Sequence, residues 1–336
     1  MDNRSSYHRF VGTVLNKNIY NKQGLLIIPA ATFLNEEHLD KIFSQRIRLT
    51  DEDVESMESQ MDKLVDQSIK EIRHIFEITA TKKQIPVHTV RNHILPVLQG
   101  AAQSSNIFNL LTILRATDDY TYRHNIGVGI ISTMIGRWMG FDHTQLTELS
   151  MTAVLHDIGK IRISKDILNK PGKLSPSEFK TMKMHAIHGY DIIRATPDAA
   201  EIWAIVALQH HEREDGSGYP YGVKGDELEL FSKIVAIADV FHAMTSERVY
   251  KKSMPFYLIL KQMQDNIFGP FEPSIMTLFM DKIMNHLIGS KVVLSNGAQG
   301  KIVMINPNDP ANPLIRADQG FIDLSKERAL YIEQIF

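Results

Sequence analysis

The sequence predicts a mainly α-helical chain with a small mixed α/β module at its start and a small β domain at its end. Three observations carry this. Residues 87–288 hold apolar residues at helical spacing, broken by prolines from Pro96 to Pro270. Residues 8–30 carry short β-rich runs around a turn. After about residue 289 the chain alternates apolar and polar residues. The expected division is a mixed module at 1–50, a helical linker or regulatory region at 51–115, a helical domain at 116–288 and a β domain at 289–336, SH3-like or barrel-like.

In chain order, "RFVGTVLNKNIYNKQGLLIIPA" (9–30) reads as short strands, with Gly24 of "NKQG" free to take positive φ in a turn. "LNEEHLDKIF" (34–43) reads as a helix capped by Asn35. From residue 51, Val54, Met57, Met61, Leu64, Val65, Ile69, Ile72 and Ile75 recur at helical intervals with charges between them. A long amphipathic helix of this kind, over 51–78, suits a link between a sensor and an output module, a homodimer seam or plain core packing, while signalling partners would meet the terminal modules. Ser175 with Glu178 three residues on is a capping box, the start of another helix. Near the end, Asn296–Gly297 is a hairpin signal.

Composition excludes several functions. With no cysteine, the chain has no disulfide, zinc-thiolate site or iron–sulfur cluster, which fits a cytoplasmic protein. A net charge of −2 offers no broad basic surface for DNA or RNA. The most apolar stretch, "NIGVGIISTMIGRWMGF" (125–141), carries Arg137 and four glycines and is too short to span a membrane. The start, "MDNRSSYHRF", lacks the apolar run of a signal peptide. Fourteen histidines remain, so any metal chemistry must use imidazole and carboxylate.

The pair His156–Asp157 in "AVLHDIGKIRI" (153–163) ends an apolar helical run. Imidazole and carboxylate together suit iron, manganese, zinc and similar divalent ions, and a carboxylate can bridge two of them. His124 stands in "DDYTYRHN" (118–125), His185 and His188 one turn apart in "FKTMKMHAIHGYDII" (179–193), and His210–His211 at a helix end before a glycine-rich loop. Asp239 sits inside the apolar run "AIADVF", where a lone carboxylate pays for desolvation unless it is paired or metal-bound.

The order of His124, His156–Asp157, His185, His210–His211 and Asp239, with "HDIGK" (156–160) and "HHEREDGSGYP" (210–220), resembles the HD-GYP family of HD-superfamily phosphohydrolases. The likeness covers roughly 115–285 and extends to "KDILNKPGKLSPSEF" and "ADVFHAMTSERVYK". It implies an all-helical HD-GYP catalytic domain that hydrolyses the bacterial second messenger cyclic di-GMP to pGpG and on to GMP, through a water activated by two metal ions, iron or manganese. Asp157 would bridge the ions and be essential to catalysis. His124, His156 and Asp239 would hold one ion, and His185, His210 and His211 the other. Lys160, Arg248 and Lys251 would face phosphates, with Lys160 also serving catalysis, and Tyr219 would contact the nucleotide. Glu212, Asp215 and Asp119 would be available to fix the imidazole tautomers.

The chain departs from the family pattern at three places. Tyr120 stands where some members carry an acidic ligand, which favours two metals over three. His242 replaces an aspartate and Val249 a proline near the expected phosphate-binding end, bearing on substrate affinity. His188 is expected outside the ligand set. Two alternatives stay open: a weakly catalytic module that binds and signals cyclic dinucleotides, and an HD phosphohydrolase acting on another cyclic dinucleotide.

Overall fold

A computed structural model describes residues 8–11, 13–29, 32, 34, 36–102, 120–246, 256–265, 269–307, 309–327 and 329–335, with the backbone alone for 8 and 56–61. The chain divides into two compact units, Met1–Gln67 and Ser68–Phe336. In the first, strand β1 (Thr13–Leu15) pairs antiparallel with β4 (Val54–Ser56), and β2 (Ile19–Tyr20) with β3 (Leu26–Ile28). Gly24 takes φ +79° in the turn between β2 and β3. Helix α1 (Glu36–Ser44) buries Leu39 and Ile42, three apart on one face, against Leu15, Ile19, Ile28 and Leu49. The proposed cap Asn35 lies outside the described residues.

The amphipathic helix differs from expectation at its start. Residues Asp51–Asp53 form a 3₁₀ turn, Val54 sits in β4 opposite Leu15, and the helix α2 begins only at Met57 and runs to Lys82. The helical spacing of Val54 is thus fortuitous: pairing with a strand forty residues away overrides local periodicity. Later turns of α2 bury Val65, Ile69, Ile72 and Ile75, as the spacing predicts, and Phe76 besides, while Leu64 is exposed.

Among its described residues the second unit is mainly helical up to residue 288. After the short helices α3 (Val87–Thr89) and α4 (Leu95–Ala101), helix α5 (Tyr120–Trp138) packs against α6 (His143–Leu155). The buried hydroxyls of Thr133 and Ser150 meet at 2.6 Å across that contact. Asp142 and Gln145 form a capping box at the start of α6. A 3₁₀ turn (Ile158–Arg162) and α7 (Lys165–Leu168) lead to α8 (Pro176–Lys183), α9 (His185–Arg194) and α10 (Glu201–Gln209). The Trp203 indole donates to Glu148 at 2.5 Å and ties α10 to α6. Helix α11 (Leu230–Thr245) is apolar nearly throughout and packs on α5, as a helix buried on most sides must.

Helices α12 (Phe256–Asp265) and α13 (Pro273–Asn285) precede a five-stranded antiparallel sheet of β5 (Lys291–Leu294), β6 (Gln299–Met304), β7 (Leu314–Ala317), β8 (Gly320–Asp323) and β9 (Ile332–Ile335). Its spatial order is β8-β7-β6-β5-β9. Gly297 turns the β5–β6 hairpin at φ +84°. Polar contacts bind the β6–β7 connection to α12: the Tyr257 hydroxyl donates to Asn312 at 2.7 Å and the Ala311 amide to Gln264 at 2.8 Å. Among the described residues no helix is long and apolar enough to cross a membrane.

Candidate metal centre

Five segments converge on one buried point. The ends of helices bring most of the polar groups there, because an apolar helix can bury its body while its last turn presents polar side chains. His124 comes from the second turn of α5, His156 and Asp157 from the end of α6, and His185 from the start of α9. His210 and His211 end α10, and Asp239 projects from the middle of α11. The glycine of "HDIGK" permits this convergence. A Cβ on Gly159 would overlap the His185 carbonyl and the Gly189 amide, so only glycine lets α9 approach the 3₁₀ turn so closely.

Asp157 is the centre. Its Oδ1 lies 3.3 Å from His185 Nε2 and 3.8 Å from His210 Nε2. Its Oδ2 lies 3.3 Å from His156 Nε2 and 3.8 Å from His124 Nε2, and also takes the Lys160 ammonium. Asp239 spans the two sides, with Oδ1 3.0 Å from His124 Nε2 and Oδ2 3.6 Å from His211 Nδ1. Two groups of donor atoms are therefore each close enough to hold a metal ion: His124, His156 and Asp157; and Asp157, His185, His210 and His211. Six of the seven sequence-selected residues fall in these groups; Asp239 joins neither but lies against His124 and His211, and His188 joins neither.

The donor atoms fit divalent cations. Asp157 Oδ1 is buried without a hydrogen-bond partner, which is costly for a carboxylate oxygen unless a cation meets it. His185 Nε2 and His210 Nε2 approach to 3.2 Å. With their Nδ1 atoms facing carbonyl oxygens, both Nε2 atoms carry lone pairs, and two lone pairs at that separation are stabilised by a positive ion. Electrostatics keeps the rings ready to ligate. Burial lowers His210 and His211 well below the usual histidine range and takes His185 down to about 4. Burial also lowers His124, more than the Asp239 carboxylate raises it. His156 is the exception: burial opposes its protonation, but the Asp157 carboxylate outweighs it and raises the ring. Burial pushes Asp157 up, yet Lys160 and His156 together hold it well below the carboxylate range.

The groups behind the histidines differ from expectation. His156 Nδ1 faces the Ala153 carbonyl at 2.7 Å, His185 Nδ1 that of Met182 at 2.7 Å, and His210 Nδ1 that of Ala207 at 2.9 Å. These carbonyls belong to final helical turns, where backbone acceptors lack intrahelical donors, so they are free to orient an imidazole. Glu212 and Asp215 do other work. Glu212 Oε1 accepts from the Tyr221 and Gly222 amides at 2.7 and 3.1 Å, folding the loop back on the helix end, and Asp215 accepts from the Ser217 amide at 2.9 Å. Asp119 lies outside the described residues.

The nucleotide-facing residues are partly placed. Tyr219 lies against His211, ring centroids 4.6 Å apart, and burial raises its hydroxyl far above the usual phenol. Lys160 is half-buried beside Asp157, whose attraction outweighs desolvation and raises the ammonium. Arg248, Lys251 and Val249 lie outside the described residues. Tyr120 stacks on the His124 ring, centroids 5.7 Å apart. His242 is not at the mouth of the site: it is 1% exposed, with Nδ1 3.1 Å from His124 Nδ1. It lies one helical turn beyond Asp239, so the side that points Asp239 inward points His242 inward too. That turn spacing was the available signal for a residue the sequence reading set at the wrong place.

Comparison with known proteins agrees with this picture. Residues 109–270 match the family model of an HD domain. A cyclic di-GMP phosphodiesterase of Thermotoga maritima is 40% identical over 179 residues, 52% of this chain and 49% of that protein. A 3′3′-cGAMP-specific phosphodiesterase of Vibrio cholerae is 36% identical over 161 residues, 48% of this chain and 35% of that protein. The chain thus spans half or less of the length of these relatives. An HDG"Y"P protein from Bdellovibrio bacteriovorus shares the fold, at a TM-score of 0.55 and 15% identity over 82% of this chain and 94% of that one. Residues 109–270 thus match an HD domain, and the order of the motifs within them is similar to that of the HD-GYP family.

Proposed function

We propose that the chain is a metal-dependent phosphodiesterase that hydrolyses cyclic di-GMP to pGpG and on to GMP. One observation carries the reading: the two oxygens of a single buried carboxylate, Asp157, face two different sets of histidines. His124, His156 and Asp239 would hold one ion, His185, His210 and His211 the other, with Asp157 between the two sets. The imidazole-rich, thiolate-free set suits iron or manganese, and Tyr120 in place of an acid leaves two ions rather than three. When bound, the ions supply a water ionised near neutral pH and charge to neutralise a phosphoryl group.

The chain's own groups do the rest. Backbone carbonyls hold His156, His185 and His210 with Nε2 turned inward. Lys160, charged beside Asp157, adds fixed positive charge where a phosphodiester gains negative charge, and by the family resemblance Arg248 and Lys251 would add to it. Tyr219 forms the lip against which the nucleotide rests. A cytoplasmic second messenger as substrate implies a cytoplasmic domain; a homodimer through the 51–78 segment would have to use the side of the helix that does not bury Ile69, Ile72 and Ile75, and signalling partners would meet the terminal modules.

Alignment with the Vibrio cholerae protein favours one second reading, 3′3′-cGAMP as substrate at the same site. Turnover assays with Mn(II) or Fe(II) and each cyclic dinucleotide separate the readings. Linear product from cyclic di-GMP supports the first, and product from 3′3′-cGAMP alone the second. Tight binding without product under either metal sinks the enzyme and leaves a binding module.

A further inference from the structure

Three imidazoles of the centre are backed at Nδ1 by a carbonyl three residues earlier, but His124 is not. Its Nδ1 meets His242 Nδ1 at 3.1 Å, the two rings edge to face with centroids 5.0 Å apart. Ser246 Oγ stands 3.0 Å from the same His242 nitrogen. His242 Nε2 is buried with no partner. Gly127, one turn after His124 on α5, makes room, since a Cβ there would overlap the His242 ring. An apolar side chain would fill this space without leaving a buried nitrogen unpaired, so the imidazole has a cost that packing alone does not explain. We infer that His242 is a positioning residue: its Nδ1 accepts the His124 Nδ1–H and so turns His124 Nε2, bare, toward Asp157 and Asp239.

This inference rests on the proposed two-ion centre, and its test separates the two. Metal-free protein is reloaded with Mn(II), and ion stoichiometry and affinity are measured for wild type, His242→Asn and His242→Leu, with circular dichroism to establish folding. Asparagine places Oδ1 where Nδ1 stands and should keep two ions per chain. Leucine should weaken one of the two by roughly 10- to 100-fold, the usual effect of losing a group behind a ligating histidine. A folded leucine variant that holds both ions with wild-type affinity overturns the positioning role. A wild type that binds no second ion overturns the two-ion reading itself. Long-range ¹⁵N–¹H spectra of the metal-free wild type give an answer independent of metal loading: the proton should sit on His124 Nδ1, and finding it on Nε2 overturns the inference.

A second, independent observation lies at the mouth of the site. Phe179 on α8 is 46% exposed, and its ring meets Tyr219 edge to face at 6.3 Å. Lys183, one turn further on, sets Nζ 4.8 Å from the Phe179 ring centre and 5.0 Å from that of Tyr219. An aromatic wall thus runs out from His211 through Tyr219 to an uncovered ring, with a cation beside it. Every nucleobase has a face that stacks on such a ring, and a lysine ammonium is a compact phosphate ligand. We propose that Phe179 stacks a purine base and Lys183 contacts the adjoining phosphate of the cyclic dinucleotide, a subsite that rests on the proposed substrate class. Steady-state kinetics with cyclic di-GMP test it. Phe179→Ala and Lys183→Met should each raise KM about fivefold or more with metal content unchanged, while Phe179→Trp stays near wild type. An unchanged KM in the alanine and methionine variants overturns the subsite. Wild type that neither binds nor turns over cyclic di-GMP overturns the substrate reading and the subsite with it.

Discussion

Asp157 is the residue on which the proposed chemistry turns, because each of its oxygens serves a different set of histidines. Replacing it with alanine should remove metal and activity together. The loss should exceed the roughly 100-fold that removal of an outer-shell partner costs. Elemental analysis beside turnover checks this, and two ions retained in Asp157→Ala would contradict the bridging role. Tyr219 works differently. Its ring packs on His211 but is no metal donor, so Tyr219→Phe should raise KM severalfold while metal content stays at the wild-type level. The seven proposed donors were legible in the sequence because each is a histidine or aspartate in an ordered motif. The groups behind them were not. A backbone carbonyl such as that of Ala153 or Met182 leaves no mark on residue type, so Glu212 and Asp215, which do look like acceptors, drew the assignment instead.

Among the elements, α8 is the one whose start is most open to a pH test. Glu178 is held at about 2, first by the Lys170 ammonium, then by the Ser175 amide and hydroxyl. Its folded value lies below its ordinary 4.5, so the carboxylate stabilises the fold above that pH and loses its contribution as pH falls toward 2. Thermal denaturation of Glu178→Gln should show a deficit at neutral pH that shrinks between pH 4.5 and 2. A deficit that stays constant across that window would mean that the charge is not what stabilises the cap. Ser175→Ala should cost about 1 kcal/mol, the usual value of an N-cap. This capping box was legible because both partners are local. The three-residue strand β4 was not, since Val54 and its neighbours take their conformation from distant β1 and carry a helical spacing by chance.

Across the whole molecule, the helical centre and both flanking modules follow from changes in periodicity along the chain. The close approach of α9 to the Asp157 turn does not, because it depends on the absence of a side chain at Gly159, and many glycines in the sequence look alike. The converged centre also couples metal to stability. The lone pairs of His185 and His210 and the unpartnered Asp157 Oδ1 oppose folding without cations, so chelation should lower the melting temperature and readdition of Mn(II) restore it. An unchanged melting temperature on full metal removal would count against a built-in centre. The most direct test of the central claim is elemental analysis of anaerobically purified protein together with a cyclic di-GMP turnover assay on the same sample. The account predicts two iron or manganese ions per chain and linear product; protein loaded with two ions that yields no product from cyclic di-GMP or 3′3′-cGAMP, or active protein without metal, would contradict it.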